Sequence, residues 1–163
     1  MRDLDSFDRL LLNVVQKDSS LTAEQIADQI PLSPSALQRR LKRLRQTGYI
    51  TGEAAIVDPK KIGRPTFFVV SLEVEREHPE LLGKLRAWLR EQDAVQQAFY
   101  VTGSADFVLI LTAPDTEAYD TLMTKLVREN PNVRRFTTNV ALGIVKRGLM
   151  IPVPLSEDAQ EVG

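Results

Sequence analysis

Between Pro34 and Gln46 the chain places five cations, Arg39, Arg40, Lys42, Arg43 and Arg45, with no Asp or Glu among them. Guanidinium and ammonium groups at that density suit phosphate oxygens. The neighbouring Ser35, Gln38 and Gln46 add hydroxyl and amide groups of the kind that pair with base edges. At 100° per residue, Leu37, Leu41 and Leu44 form one stripe, and Ser35, Gln38, Arg39, Lys42, Arg43 and Gln46 face away from it. A solvated helix face ordinarily mixes signs, and packing of the leucine stripe gives no reason to exclude acids from the other side. The chemistry points to double-stranded DNA, with Ser35, Gln38, Arg39, Lys42 and Arg43 entering the major groove or clamping its edges. Arg40 falls beside the leucine stripe, where a structural or phosphate-clamping role suits it better than base reading.

Such a helix needs a partner to hold it. Thr22 and Gln25 stand at capping-box spacing, so a first helix starts at Thr22, with Leu21 and Ile26 able to staple across its start. Ser33 then caps a second helix, Pro34 takes its first position, where a missing N–H does no harm, and Gly48 ends it. Two capped helices joined by a short turn are a helix-turn-helix. Upstream, Leu4, Phe7, Leu11 and Val14 repeat at helical spacing and predict a supporting helix. Downstream, Tyr49 to Gly52 and Ala54 to Val57 are β-prone stretches around Gly52, which predicts a two-stranded wing. Residues 1–57 are thus expected to be a winged helix-turn-helix domain. Two prolines and a glycine in residues 58–65 mark a linker.

The 163 residues include no cysteine, which excludes disulfide scaffolds, thiolate metal sites and cysteine nucleophiles. The single histidine, His78, precedes Pro79 at a predicted helix start, where capping or solvent exposure suits it better than proton transfer. No glycine-rich phosphate loop or metal-ligand spacing appears. No enzyme activity, catalytic residue, metal or cofactor is therefore expected. Net charge is −1, yet residues 1–62 carry ten Lys or Arg against eight acids and residues 63–163 carry eleven against fourteen. The basic footprint is local, as in a protein that docks one element on phosphate and keeps the rest away. No apolar leader or spanning run is present, so a cytoplasmic protein without a membrane partner is expected.

From Thr66 the elements read strand, helix, strand, strand, helix, strand. The predicted spans are Phe67 to Val74, a helix opened by His78 and Pro79, Val95 to Thr102, Phe107 to Thr112, a helix capped by Asp115 with Tyr119, Leu122, Met123, Leu126 and Val127 inward, and Val133 to Val145. This βαββαβ order predicts a ferredoxin-like sandwich over residues 66–151, and the whole chain is therefore of α+β class. Two helices cover one face of the sheet only. Phe67, Val69, Val108 and Ile110 make the other face apolar, so that face is expected to be buried against a second copy of the chain. Residues 152–163, with two prolines, three acids and no periodicity, are expected to fray.

A winged helix-turn-helix, a short linker and a βαββαβ domain with a Gly-x-x-Asp turn together resemble the Lrp/AsnC family of feast/famine transcription regulators. The likeness covers roughly residues 4–150 and rests on LDSFDRLLLNVVQKD, LSPSALQRRLKRLRQTGYI, AAIVDPKKIG, VTGSADFVL and VRRFTTNVALGIVK in that order. The resemblance implies a DNA-binding homodimer whose C-terminal, RAM-type domains assemble further, often to octamers, and sense a small molecule, usually an amino acid. Family ligands sit between dimers against the loop that matches Thr102 to Asp106. There the N–H groups around Gly103 suit an α-carboxylate, Asp106 an α-ammonium, and Thr102, Ser104 and Thr138 supply hydroxyls. Equally, Gly103 and Asp106 are residues that a plain hairpin turn uses. Where family members commonly have an aromatic between that glycine and aspartate, this chain has Ala105, so the identity of a ligand does not carry over. Two other readings are an architectural DNA-binding protein without an effector and an enzyme like the sirohaem decarboxylases. The second needs histidines that a chain with only His78 lacks.

Overall fold

The computed structural model describes residues 4–155. They form two compact units, one holding the chain up to residue 56 together with residues from 146 onward, the other residues 57–145.

The first unit is built on three helices: α1 (Ser6–Val15), α2 (Ala23–Ala27) and α3 (Pro34–Gln46). Each start is fixed by its sequence. Asp5 and Asp8 exchange side-chain and backbone hydrogen bonds as a capping box on α1. Thr22 and Gln25 do the same on α2, as expected from their spacing. Ser33 accepts from Ala36 N–H and Pro34 opens α3. Gly48, at φ 79°, takes the left-handed conformation that ends the helix. Leu11, Leu12, Ile26, Ile30, Leu37, Leu41 and Leu44 make the core. The expected wing strands do not form: residues 49–57 pair in no ladder, and the segment is tied instead by Ile50 N–H to Leu44 O and by Glu53 to Arg45.

The end of the described chain corrects a second expectation. Residues 152–154 are not frayed: Val153 exchanges two hydrogen bonds with Asn13 of α1, and Pro154 O accepts from Arg9. Residues 156–163, expected to fray with them, lie outside the described residues.

After a 3₁₀ turn, Pro59–Lys61, the second unit runs β1 (Thr66–Val74), α4 (Pro79–Glu91), β2 (Val95–Tyr100), β3 (Phe107–Ala113), α5 (Thr116–Glu129) and β4 (Val133–Val140). The antiparallel sheet has the order β2-β3-β1-β4, with both helices on one face. Phe68, Val70 and Leu72 of β1 and Phe107, Leu109 and Leu111 of β3 point to the helices, where Leu82, Leu85 and Leu89 of α4 and Met123 and Leu126 of α5 meet them. Val127 was expected inward but is 40% exposed; the pair Met123 and Leu126 already fills the contact. β4 stops at Val140 rather than Val145, since its last rungs face Phe68 and Phe67 near the start of β1 and no partner strand extends further. Trp88 of α4 bonds Glu129 of α5 through its indole N–H at 2.8 Å, with Lys125 over its ring. Among the described residues no helix is long and apolar enough to cross a membrane.

Candidate nucleic-acid interface

Helix α3 buries Leu37, Leu41 and Leu44 and turns Ser35, Gln38, Arg39, Lys42 and Gln46 to solvent. Among the described residues Arg39 and Lys42 enter no ion pair, so both keep their charge available for an anion. Ser35 shares a hydrogen bond with the capping Ser33, which holds its hydroxyl at the helix start. These four of the expected DNA-contacting residues, Ser35, Gln38, Arg39 and Lys42, share one exposed strip.

Arg40 and Arg43 do not belong to that strip. Arg40 Nη1 donates to Asp5 Oδ2 and to Asp8 Oδ1, each at 2.7 Å, and its guanidinium lies over the Phe7 ring. Arg43 Nη2 is 2.5 Å from Asp8 Oδ2, but it is buried and not aligned as a hydrogen bond, so the contact is one of charge. Arg43 was expected to face outward. A carboxylate at the foot of α1 draws it back instead. Asp8 is 1% exposed, and burial raises its proton affinity, yet Arg43, Arg40 and the Asp5 N–H outweigh that and hold the carboxyl below its ordinary value. The Asp5 carboxylate, against the opposing effect of burial and with help from Asp8, raises the Arg40 guanidinium.

Asp8 is the functional residue that the reading of α3 missed. Its signal was present: Leu4, Asp8, Leu11, Leu12 and Val15 fall on one helical stripe, and a carboxylate in the middle of an apolar stripe needs a buried cation.

In the second unit the turn after β2 gathers Thr102, Gly103, Ser104 and Asp106. Thr102, Gly103 and Ser104 are exposed, and Gly103 has φ 120°, which favours glycine. Asp106 serves the turn: its Oδ2 accepts from Val74 N–H at 2.7 Å where β1 bulges, and its backbone bonds Leu72 O and Val101 N–H. Thr138 is not brought to the turn by any hydrogen bond. It lies on the outer strand β4 opposite Val70, and its hydroxyl is paired with Tyr119 OH, whose ring stacks on Phe68. Burial, offset in part by the Thr138 bond, raises the Tyr119 phenol. His78 stands at the start of α4, exposed and without a side-chain capping bond.

Comparison with known proteins adds to this geometry. Residues 4–51 match the family model described as winged helix-turn-helix DNA-binding, and residues 68–151 match that of the Lrp/AsnC ligand binding domain. An uncharacterized HTH-type transcriptional regulator of Sinorhizobium fredii is 41% identical over 94% of this chain and 90% of its own length. The crystal structure of an AsnC family transcriptional regulator from Agrobacterium tumefaciens superposes with a TM-score of 0.82 at 25% identity, over 91% of this chain and 96% of that one. A transcriptional regulator from Neisseria meningitidis, solved as a complex with L-methionine, has the same TM-score at 24% identity and covers 92% and 97%.

Proposed function

The chain belongs to the Lrp/AsnC family of DNA-binding transcriptional regulators, and from that premise we propose that α3 reads the major groove through Ser35, Gln38, Arg39 and Lys42. Arg40 and Arg43 act as a preset pair at the flank of that helix, where they steady it and meet the phosphate backbone. It is a regulator and not an enzyme, as its relatives are. The observation that carries the reading is the exposed, acid-free strip on α3, where Arg39 and Lys42 enter no ion pair among the described residues. The division of labour is a DNA-binding domain of residues 1–57, a linker of residues 58–65 and a regulatory domain after it, working in the cytoplasm where the duplex is. The test is binding to duplex DNA against salt: an Arg39, Lys42 double alanine variant should lose affinity, relax base preference and lose about one unit of salt slope.

The partner of the open sheet face is a second copy of the chain. Val69 and Ile110 lie side by side on it, Phe67 stands further along β1 opposite Thr112, and Val108 is paired with Phe99, which is 52% exposed at the sheet edge. An isologous pairing of these faces sets two α3 helices on a roughly palindromic site. Such dimers are the unit from which larger assemblies, up to octamers, are built.

The effector is an amino acid held beside Thr102, Gly103, Ser104 and Asp106. The exposed N–H groups of the turn and the Asp106 Oδ1 oxygen support that chemistry, and L-methionine bound by the Neisseria regulator is in keeping with it. Thr138 takes part only by giving up its Tyr119 bond. A second reading, an effector-independent architectural protein, draws on the same observation from the other side, since one Asp106 oxygen and the Thr138 hydroxyl are already engaged. A thermal-shift screen of the twenty amino acids separates the two: a ligand at a hundred times its Kd adds about 2.7 kcal/mol of stability.

A further inference from the structure

The segment after residue 150 is bound along α1 by side chains that read only its main chain. Asn13 Nδ2 donates to Val153 O at 2.8 Å while Val153 N–H donates to Asn13 Oδ1 at 2.9 Å. Gln16 repeats the exchange with Ile151 at 2.9 and 2.8 Å. Arg9, 7% exposed, continues the row by donating to Pro154 O at 3.1 Å. Two-point pairing of residues 151 and 153 is the pattern of a strand rung, with side-chain amides standing in for a neighbouring backbone.

The register is written into both partners. Positions 13 and 16 are about 4.5 Å apart along a helix axis, and residues 151 and 153 are about 6.6 Å apart in an extended chain. The extra methylene of Gln16 over Asn13 helps span the difference. In Ile151-Pro152-Val153-Pro154 the prolines occupy the positions whose N–H would point away from α1, and the two residues that must donate are not proline. Proline also fixes φ in the extended range, so the segment is stiffened before it docks, and less freedom is lost on binding. Val153 packs on the same core that supports α3.

The same helix carries Asp8, and is capped by Asp5; Asp8 holds Arg40 and Arg43, and Asp5 holds Arg40. The chain leaves the second unit after Val145 and returns to the first, so the docked segment follows β4 after an intervening stretch of ten residues, 141–150. We propose that residues 151–154 are a clamp that sets α1, and through Asp5 and Asp8 the Arg40–Arg43 pair, so that this stretch beyond the regulatory domain is part of the DNA-binding machinery. The inference rests on the reading of Arg40 and Arg43 as serving DNA binding.

The test uses the full chain, a long random-sequence duplex, and the variants Asn13→Ala with Gln16→Ala. Asn13 is half-buried and Gln16 exposed, and circular dichroism reports whether the helices persist. A second variant, Val153→Pro, removes one donor and leaves α1 untouched. Hydrogen exchange should show protected Ile151 and Val153 amides in the wild type, lost for both residues in the double variant. Duplex affinity should fall about threefold or more in both variants, with the salt slope lower by about one. In a chain already carrying Asp8→Asn, the double substitution should change affinity by less than about twofold, because it acts through the same contacts. Unprotected amides in the wild type, unchanged affinity in both variants, or full additivity with Asp8→Asn would each overturn the clamp. A wild type with protected amides but no salt-dependent binding would instead sink the DNA reading, and the exchange data keep those two failures apart.

Discussion

Asp8 on α1 and Arg43 on α3 meet at 2.5 Å, and Asp8 holds Arg40 with its other oxygen. One buried carboxylate thus governs two of the five cations of the recognition helix. Helix packing and charge presentation are set by the same residue.

Replacing Asp8 by Asn should therefore destabilise the first unit by about 1–3 kcal/mol, the range for leaving a buried polar group without its partner. Its pH dependence follows from the sign of the shift. The folded carboxyl is held below its ordinary value, so its contribution is full above the ordinary aspartate value and is lost as pH falls through the lower, folded one. Thermal melts from neutral pH into acid should show a loss of stability that is smaller in Asp8→Asn than in the wild type.

Arg39 and Lys42 should separate by role. Arg39→Ala is expected to cost about 1–3 kcal/mol in DNA binding and to relax preference at one base pair, as for an arginine reading guanine. Lys42→Ala should weaken binding evenly across sequences and lower the salt slope by about one. Binding selections on a randomised duplex, repeated at two salt concentrations, measure both.

Val69 and Ile110 are paired across β1 and β3 on the open face. Changing either to Asp leaves the helix-covered core intact and places a charge where a second sheet is expected to pack. Sedimentation should shift from a dimer or larger even assembly towards monomer, with little change in far-ultraviolet circular dichroism.

Asp106 calls for two substitutions. Asp106→Asn retains an acceptor for Val74 N–H but loses the charge that an α-ammonium needs, whereas Asp106→Ala removes the turn bond as well. Folding stability should be near wild type in the first and lower by about 1–2 kcal/mol in the second. Calorimetry with a stabilising amino acid should show weakened binding in both. Unchanged affinity in Asp106→Asn would leave Asp106 a turn residue only.

Much of this was legible in the residues, and the rest was hidden for identifiable reasons. Capping pairs such as Thr22 with Gln25, and the β-branched and aromatic runs of β1 and β3, mark elements locally because their signals lie within a few positions. The capping box at Asp5 and Asp8 had the same kind of signal, masked by the apolar residues around it. The retreat of Arg43 from the outer strip depends on a carboxylate 35 positions earlier, and helical angle alone does not report that. The prolines at 152 and 154 read as disorder when taken alone, and become a register signal only beside the Asn13 and Gln16 amides. In the turn, Gly103 and Asp106 were found by spacing, but which Asp106 oxygen is engaged depends on the distant Val74.

Trp88 is the chain's only tryptophan, and it sits in the second unit between a carboxylate and an ammonium group. Intrinsic fluorescence is therefore a built-in optical reporter of the second unit. The Trp88 hydrogen bond is the main cause that keeps the Glu129 carboxyl below its ordinary value, which ties the emission to the charge state of that contact. A spectral change on adding duplex DNA would report an effect of DNA on the second unit. The unlabelled protein thus offers a direct optical assay of whether the two halves of the molecule communicate.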